Sequence, residues 1–441
     1  MFKMTAPEIL PFASCKKREI NERTMTEFRF LHVADIHLDS PLTGLARYEG
    51  LPVDDVRAAT RAAFENMIDF ACRAAVDFVI IAGDLFDGDW RDMGTGLYLA
   101  RQMGRLEKAG IPVFVLQGNH DAASVVTKNL PWPANVMRFG SRSPQTFRIE
   151  ELGVALHGWG FAHQSAPDNL AIRYPDAVAG MFNIGVLHTS LSGRPGHAAY
   201  APCEIADLRS RGYDYWALGH VHTFERVSED PLVIFPGNVQ GRNIRETGAK
   251  GGVLVDVEDG AISRIEQVHF DVLRWARVAI DCHGCATLDE FQVRLRDGLK
   301  AARTNEVADR GLVVRVVLEG ATLLSGVLSD SQAQLREDAR AHATAISPDL
   351  WIEKIQVRTS PPDVDAKIEL SDDIAGLLAS ASEDEELLAM LAAELSPFLV
   401  ATAAAQPPDQ DELRHAASSG DWSRVADAAV AVLMGRLGEA G

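Results

Sequence analysis

A chain of 441 residues with 47% apolar and 24% charged residues has room for two or three domains and a large core, which excludes a disordered or fibrous protein. No apolar run approaches the ~20 residues of a membrane span, and five scattered cysteines exclude a disulfide framework, so the cytosol is the expected compartment. The net charge of −19 excludes a simple basic nucleic-acid binder, and residues 361–441, with 16 acids against 4 bases, carry most of it.

In chain order, residues 1–24 come first. Their Ile9-Leu10-Pro11-Phe12-Ala13 stretch is too short and too proline-broken for a signal sequence, so they read as a disordered leader or as an artefact of start-codon choice, Met25 giving a cleaner start. Phe28–Ala34 reads as a buried strand. Residues 53–75 read as a helix, with Asp54 and Asp55 in its first turn and Val56, Phe64, Met67, Ile68 and Ala71 at helical spacing. Asp77–Ala82 is a second buried strand. A helix follows near 94–109, ended by Gly110 and Pro112, and Val113–Leu116 is a third strand. This alternation predicts a mostly parallel sheet with helices packed on it.

From 136 to 268 the apolar runs shorten. Val154–Leu156, Ile184–Leu187, Tyr215–Leu218, Leu232–Phe235 and Gly252–Val255 read as strands of a second sheet facing the first, so residues 25–268 form an α/β sandwich. Residues 269–360 read as a small α+β domain, with strands near 272–280, 312–318 and 351–357 and helices near 288–302 and 332–343. Cys282-His283-Gly284-Cys285 lies here; a lone C-x-x-C without further ligands reads as incidental. After Ser360-Pro361-Pro362, residues 361–441 form an acidic, Ala/Leu-rich helical tail.

Five polar clusters stand at the ends of apolar runs: Asp35-Ile36-His37, Gly83-Asp84, Gly118-Asn119-His120-Asp121, His188 and Gly219-His220-Val221-His222. The carboxyl ends of strands are where α/β sheets place their sites. Asp35 and His37 are two apart in a turn, so both can face one ion. Asp84 has two oxygens and can bridge two. Asn119 offers a neutral oxygen, and His188, His220 and His222 offer imidazole nitrogens. These ligand types suit divalent Mn, Fe or Zn. Seven ligands with one bridge give two sites of about four ligands each, leaving room for water and a phosphate. His120 is free of that duty and is placed to stabilise the transition state or protonate the leaving oxygen, with Asp87 as a carboxylate that orients it. Singly, each position has an ordinary reading: Asp35 a turn residue, Asp84 a helix cap, His188 a hydrogen-bonded core histidine. Five such coincidences in one order point to a two-metal phosphoesterase.

The pattern D-x-H, G-D, G-N-H-D, H, G-H-x-H resembles that of the calcineurin-like metallophosphoesterases. The resemblance implies a four-layer α/β/β/α sandwich. It implies one metal on Asp35, His37, Asp84 and His222, another on Asp84, Asn119, His188 and His220, and His120 as the catalytic histidine. Manganese is the first expectation for the ions, with iron or magnesium as alternatives. Within that family the chain is most similar to DNA-repair exonucleases of the SbcD type, the YhaO-like branch above all. F-R-F-L-H-V-A-D-I-H-L-D-S-P-L (28–42), G-H-A-A-Y-A-P-C (196–203), Y-D-Y-W-A-L-G-H-V-H (213–222) and P-G-N-V-Q-G-R-N-I-R-E-T-G (236–248) carry that likeness. It implies a DNA-gripping capping domain over 269–360 and C-terminal helices that dock on an SbcC-like coiled-coil ATPase, with a homodimer as a further partner state. Some relatives carry His at the position of Asp87, which bears on the balance of exonuclease and endonuclease activity. His197, Tyr200, Arg242 and Arg245 either touch substrate or order surface loops. Two other functions remain open: a phosphatase or phosphodiesterase acting on nucleotides or phosphoproteins, and a scaffold that binds without catalysis.

Overall fold

The computed structural model describes residues 27–40, 53–86, 93–118, 121, 132–161, 168–192, 200–306, 310–362, 380–402 and 412–439. The chain divides into two compact units.

The first unit is built on two six-stranded sheets. Strand β2 (Phe78–Ala82) is apolar and buried at every position, as a strand covered on both faces must be. It lies parallel between β1 (Phe28–Val33) and β3 (Val113–Leu116), and β4 (Val136–Arg138) extends the sheet in parallel. On the other side β11 (Gly251–Glu258) runs antiparallel to β1, so Gly252–Val255 belongs to the first sheet and not, as its sequence position suggests, to the second, and β12 (Ala261–His269) forms the edge. The second sheet has the order β5-β6-β7-β8-β10-β9. Its strands are β5 (Gln145–Ile149), β6 (Val154–Gly158), β7 (Phe182–His188), β8 (Tyr215–Gly219), β9 (Glu225–Glu229) and β10 (Leu232–Phe235). The middle four, β6, β7, β8 and β10, run parallel.

One continuous core joins the facing sheets. Phe30, Phe78, Ile80 and Phe114 from the first meet Leu156, Ile184, Tyr215 and Ile234 from the second. Phe30 stacks on Phe78 at 5.1 Å between ring centroids and meets Tyr215 edge-on at 5.2 Å, geometries that ring quadrupoles favour. Leu31, Val33, Val79, Ile81, Val113 and Val115, on the other face of the first sheet, are buried as well. Between β1 and β2 the chain forms α1 (Val53–Ala74), with Phe64, Met67, Ile68 and Ala71 on its buried stripe; α2 (Met93–Lys108) follows β2. On the outer face of the second sheet Trp216, Leu218, Val233 and Phe235 pack against Trp159, Tyr174 and Leu208. Regular helix on that face, among the described residues, is the short α3 (Ile205–Arg209).

The second unit holds a three-stranded parallel sheet, β13 (Leu273–Asp281), β14 (Gly311–Ala321) and β15 (Leu350–Ser360). Helices α4 (Leu288–Asn305), α5 (Ser325–Asp330) and α6 (Gln332–Ile346) connect these strands. Thr287 caps α4, its side chain accepting from Glu290 N, while the Glu290 carboxylate accepts from Ala286 N. Phe291, Leu295 and Leu299 of α4 and Leu335, Ala339 and Ala343 of α6 cover Val314, Val316 and Ile352 of the sheet. Helices α7 (Glu385–Thr402), α8 (Glu412–Ser419) and α9 (Trp422–Glu439) pack on one another. No described helix is long and apolar enough to cross a membrane.

Candidate metal centre

Each chemical cluster sits where a strand stops. Asp35 and His37 follow β1, Asp84 follows β2, Gly118 follows β3, His188 ends β7, and His220 and His222 follow β8. The backbone there leaves the extended region abruptly. Asp35 (φ 51°), His37 (φ 46°), Asp84 (φ 51°) and His220 (φ 101°) all take positive φ. Such values cost a non-glycine residue about 1 kcal/mol or more, so the surroundings must hold them.

Backbone ties do so. Asp35 N donates to Gly83 O at 3.0 Å, and Thr189 N donates to Gly219 O at 3.1 Å. His220 N donates to the Asp35 carboxylate at 2.9 Å. His188 Nδ1 lies 2.9 Å from Ala82 O and must donate to it, which leaves Nε2 as the nitrogen on offer to a cation, turned to Asp84 Oδ2 at 3.3 Å. Three glycines make the approach possible. Gly83 takes φ 100°, and a Cβ there would overlap the His188 ring; a Cβ on Gly118 would overlap Asp84 Oδ1, and one on Gly219 would overlap Ala82 O.

Two groups of potential ligands result: Asp35, His37 and His222, and Asp84, His188 and His220. Within each group the ligand atoms lie within 4.8 Å of one another. Asp35, His37, Asp84 and His188 are at most 1% exposed. Burial works against the Asp35 charge, but His222 and His188 overcome it and hold its carboxyl below the usual range. Burial also works against a charged His188, yet the Asp84 carboxylate raises it to about 9. His220 is pushed down to about 4 by burial and by the neighbouring His188 charge. Two buried carboxylates and four imidazoles in two sets of one oxygen ligand and two nitrogen ligands match the preferences of Mn, Fe and Zn, so the donor set fits a pair of divalent cations.

The chain aligns with a metallophosphoesterase YhaO of Bacillus subtilis (strain 168), uncharacterized by its own name, at 38% identity over 300 residues, 67% of this chain and 72% of that one. The chain belongs to the YhaO family of calcineurin-like metallophosphoesterases. The calcineurin-like phosphoesterase model matches residues 28–224, and a model of the YhaO middle domain matches residues 275–360. A DNA double-strand break repair protein Mre11 from Sulfurisphaera tokodaii is 25% identical over 323 residues, covering 69% of this chain and 76% of that protein. One from Methanopyrus kandleri is 27% identical over 311 residues, covering 61% and 63%. Calcineurin-like phosphoesterases are hydrolases with a two-metal site, and this chain holds two candidate groups of metal ligands.

Of the residues singled out in the sequence, Asp35, His37, Asp84, His188, His220 and His222 come together in these two groups. Asn119, His120, Asp87 and His197 lie outside the described residues. The Tyr200 ring stands 4.9 Å from that of His220. Arg242 is committed to Glu246 at 2.9 Å with both side chains largely buried, which makes it a loop-ordering residue; Arg245 is exposed. Two residues not picked out by sequence reasoning support the site. Asp121 is 2% exposed, and its carboxylate accepts from Leu85 N, Phe86 N and Gly118 N at 3.1, 2.9 and 3.1 Å. It ties the loop bearing Asp84 to the end of β3, and its place at the end of the G-N-H-D run was the available signal. Asp39 (φ 56°) receives both Arg61 Nε and an Arg61 terminal nitrogen, which pins the chain just past His37 to α1.

Proposed function

We propose that this chain is the nuclease subunit of a DNA-processing complex and hydrolyses DNA phosphodiesters at a two-cation site, with manganese as the first candidate ion. The observation that carries the reading is the pair of one-carboxylate, two-imidazole groups at the strand ends. The extended likeness to double-strand break repair proteins, 323 aligned residues in one case, supports DNA as the substrate.

In this reading Asp35, His37, Asp84 and His222 hold one cation, and Asp84, Asn119, His188 and His220 hold the other. Bound there, the cations supply Lewis-acid chemistry: they activate water at neutral pH and offset the charge developing on the phosphate. The rest falls to the chain. Asp84 would serve both cations with its two oxygens. Ala82 O fixes the tautomer and ring orientation of His188, as an outer hydrogen bond does for a ligand histidine. His120 donates a proton to the leaving oxygen, and Asp87 orients it. Residues 269–360 act as the capping domain that contacts DNA. The acidic tail, 361–441, docks on a coiled-coil ATPase partner and avoids competing for DNA through its own charge. The described cysteines are free thiols, in keeping with work in the cytosol.

The test is a Mn²⁺-dependent assay on linear duplex DNA, alone and with a coiled-coil ATPase partner, beside a cyclic nucleotide and a phosphopeptide. DNA degradation that falls at least a hundredfold in His120→Ala supports the reading. Turnover of the small phosphoesters with DNA untouched favours the nucleotide or phosphoprotein hydrolase instead. No turnover of any of them by metal-loaded protein leaves the binding scaffold.

A further inference from the structure

Just past His188 one buried side chain ties three segments together. Thr189 is fully buried. Its N–H donates at 3.1 Å to the carbonyl of Gly219, the residue before His220. Its hydroxyl donates to Ala201 O at 2.8 Å and accepts from Leu191 N at 3.0 Å. Cys203 Sγ lies 3.7 Å from the same oxygen, and because the hydroxyl proton is already given to Ala201 O, the thiol is the donor there. A hydroxyl has one proton and two lone pairs, so Thr189 Oγ1 is used to capacity.

The two backbone groups that this oxygen bonds belong to strained residues. Leu191 (φ 56°) and Ala201 (φ 38°) both stand in the left-handed region without being glycine. Such conformations persist only where the surroundings hold them. Ser190 adds a second rung: its N–H donates to Tyr200 O at 3.0 Å, and its hydroxyl accepts from Tyr200 N at 3.1 Å. Residues 189–192 and 200–203 are thereby locked side by side, with Tyr200 carried on the second segment.

What the lock holds is the ring of His220. The His188 ring meets it edge-on at 5.2 Å between centroids, and the Tyr200 ring stands at 4.9 Å. Thr189 follows the first of those rings in the chain, bonds the residue after the second, and bonds the residue before His220 itself. We propose that Thr189 is a positioning residue for the phosphoester reaction: its hydroxyl sets Tyr200 against His220 and so fixes the orientation of a candidate ligand imidazole. This inference rests on the hydrolytic two-cation reading above.

Full-length variants test it. Thr189→Val keeps the shape and loses the hydroxyl bonds, and Thr189→Ser keeps them. Tyr200→Leu removes the ring and leaves the lock. Cys203→Ala takes packing from the same buried place and leaves the bonds to Ala201 and Leu191 intact. In Thr189→Val the Leu191 amide should exchange with deuterium about tenfold faster or more. One of the two Mn²⁺ ions should bind about tenfold to a hundredfold more weakly in calorimetric titration, the usual loss behind a ligand histidine. With bis(p-nitrophenyl) phosphate at saturating Mn²⁺, kcat should fall about tenfold with KM changed by about twofold at most. Tyr200→Leu should weaken the same Mn²⁺ ion, and adding Thr189→Val to it should cost little more. Thr189→Ser should stay within about threefold of wild type throughout. Cys203→Ala should keep wild-type Mn²⁺ binding and kcat even if it melts earlier. Wild-type Mn²⁺ affinity in Thr189→Val or in Tyr200→Leu overturns the inference. So does an equal loss in Thr189→Ser or Cys203→Ala, which would mark a general loosening of the fold. A wild type that binds Mn²⁺ and turns over no phosphoester fails the hydrolytic reading instead, and the Mn²⁺ affinities of the variants still decide whether Thr189 positions His220.

Discussion

The Asp121 carboxylate receives three backbone N–H groups in a site 2% exposed to solvent. Burial, joined by the Asp84 charge, pushes its pKa up to about 7, and those three donors are what oppose the rise. Asparagine in its place keeps one acceptor oxygen and turns an N–H toward donors that need an acceptor. Asp121→Asn should therefore destabilise the fold by about 2 kcal/mol. With the Asp84 loop loosened, Mn²⁺ affinity should fall by about tenfold to a hundredfold, the usual size of an outer-shell loss. Calorimetric titration with Mn²⁺ and thermal melting check both, and wild-type Mn²⁺ affinity would contradict the positioning role. A second buried group sets a pH dependence. His32 bridges the two sheets, with Nε2 3.1 Å from Leu218 O and Nδ1 2.9 Å from Tyr215 OH. A neutral ring satisfies both, donating from Nε2 and accepting at Nδ1. Burial pushes its pKa down from 6.5 to about 3. Unfolded chain takes up a proton across that interval and native chain does not. The stability His32 contributes is thus complete above pH 6.5 and drains as pH falls toward 3. Between pH 7.5 and 5 wild type should lose about 2 kcal/mol that His32→Gln does not, measured as the difference in urea-unfolding slopes with pH.

At the scale of elements, the site is a property of strand ends and of the glycines that crowd them. Gly118 has a backbone conformation open to other residues, but a Cβ there would overlap Asp84 Oδ1. Gly118→Ala should fold, since the clash is at the rim of the sheet, yet lose at least one of two Mn²⁺ ions in calorimetric titration, with the Tm lowered by a few degrees for about 1–2 kcal/mol of overpacking. Full occupancy of both sites would refute the account of why glycine stands there. The central strands were legible because β1, β2, β7 and β8 are mostly apolar, almost wholly buried runs that stand out from any helical period. Strands β5 and β9 were not, because QTFRI and ERVSE are mixed edge sequences with no buried position, whose pairing is decided by their neighbours β6 and β10. The short α3 was equally hidden, five residues being too few for a period. The ligands of the site were legible as residue types after strands. The ties among them were not: the Asp121 bonds to the β2 loop span 35 and 36 residues, and His188 reaches Ala82 across 106. No local pattern encodes those distances.

For the molecule as a whole, metal loading must be an exchange of protons for cations. The chain carries a formal charge of −19, and each pair of divalent ions offsets about 4 of those charges. The buried rim cannot wait uncharged for the ions. Burial disfavours a charged His188, but Asp84 outweighs it and raises the pKa to about 9, so the metal-free chain holds His188 protonated at neutral pH. That proton sits on Nε2, the nitrogen turned to Asp84, since Nδ1 already serves Ala82 O. A cation that takes Nε2 must expel it. His220, pushed down to about 4, is already neutral and releases nothing. Binding to the Asp84–His188–His220 group should then release about one proton at pH 7.5, and its affinity should rise about tenfold per pH unit until pH nears the His188 value. The sign follows from the raised pKa: protons compete below it and cease to compete above it. Mn²⁺ titrations in buffers of different ionisation enthalpy give the proton count directly. The observed heat should vary linearly with buffer enthalpy, with a slope of about one for that group, and a flat line would show that His188 is neutral before the metal arrives. Chelation should lower the thermal transition and restore the proton, because removing the cations leaves two carboxylates buried without the charge that offsets them.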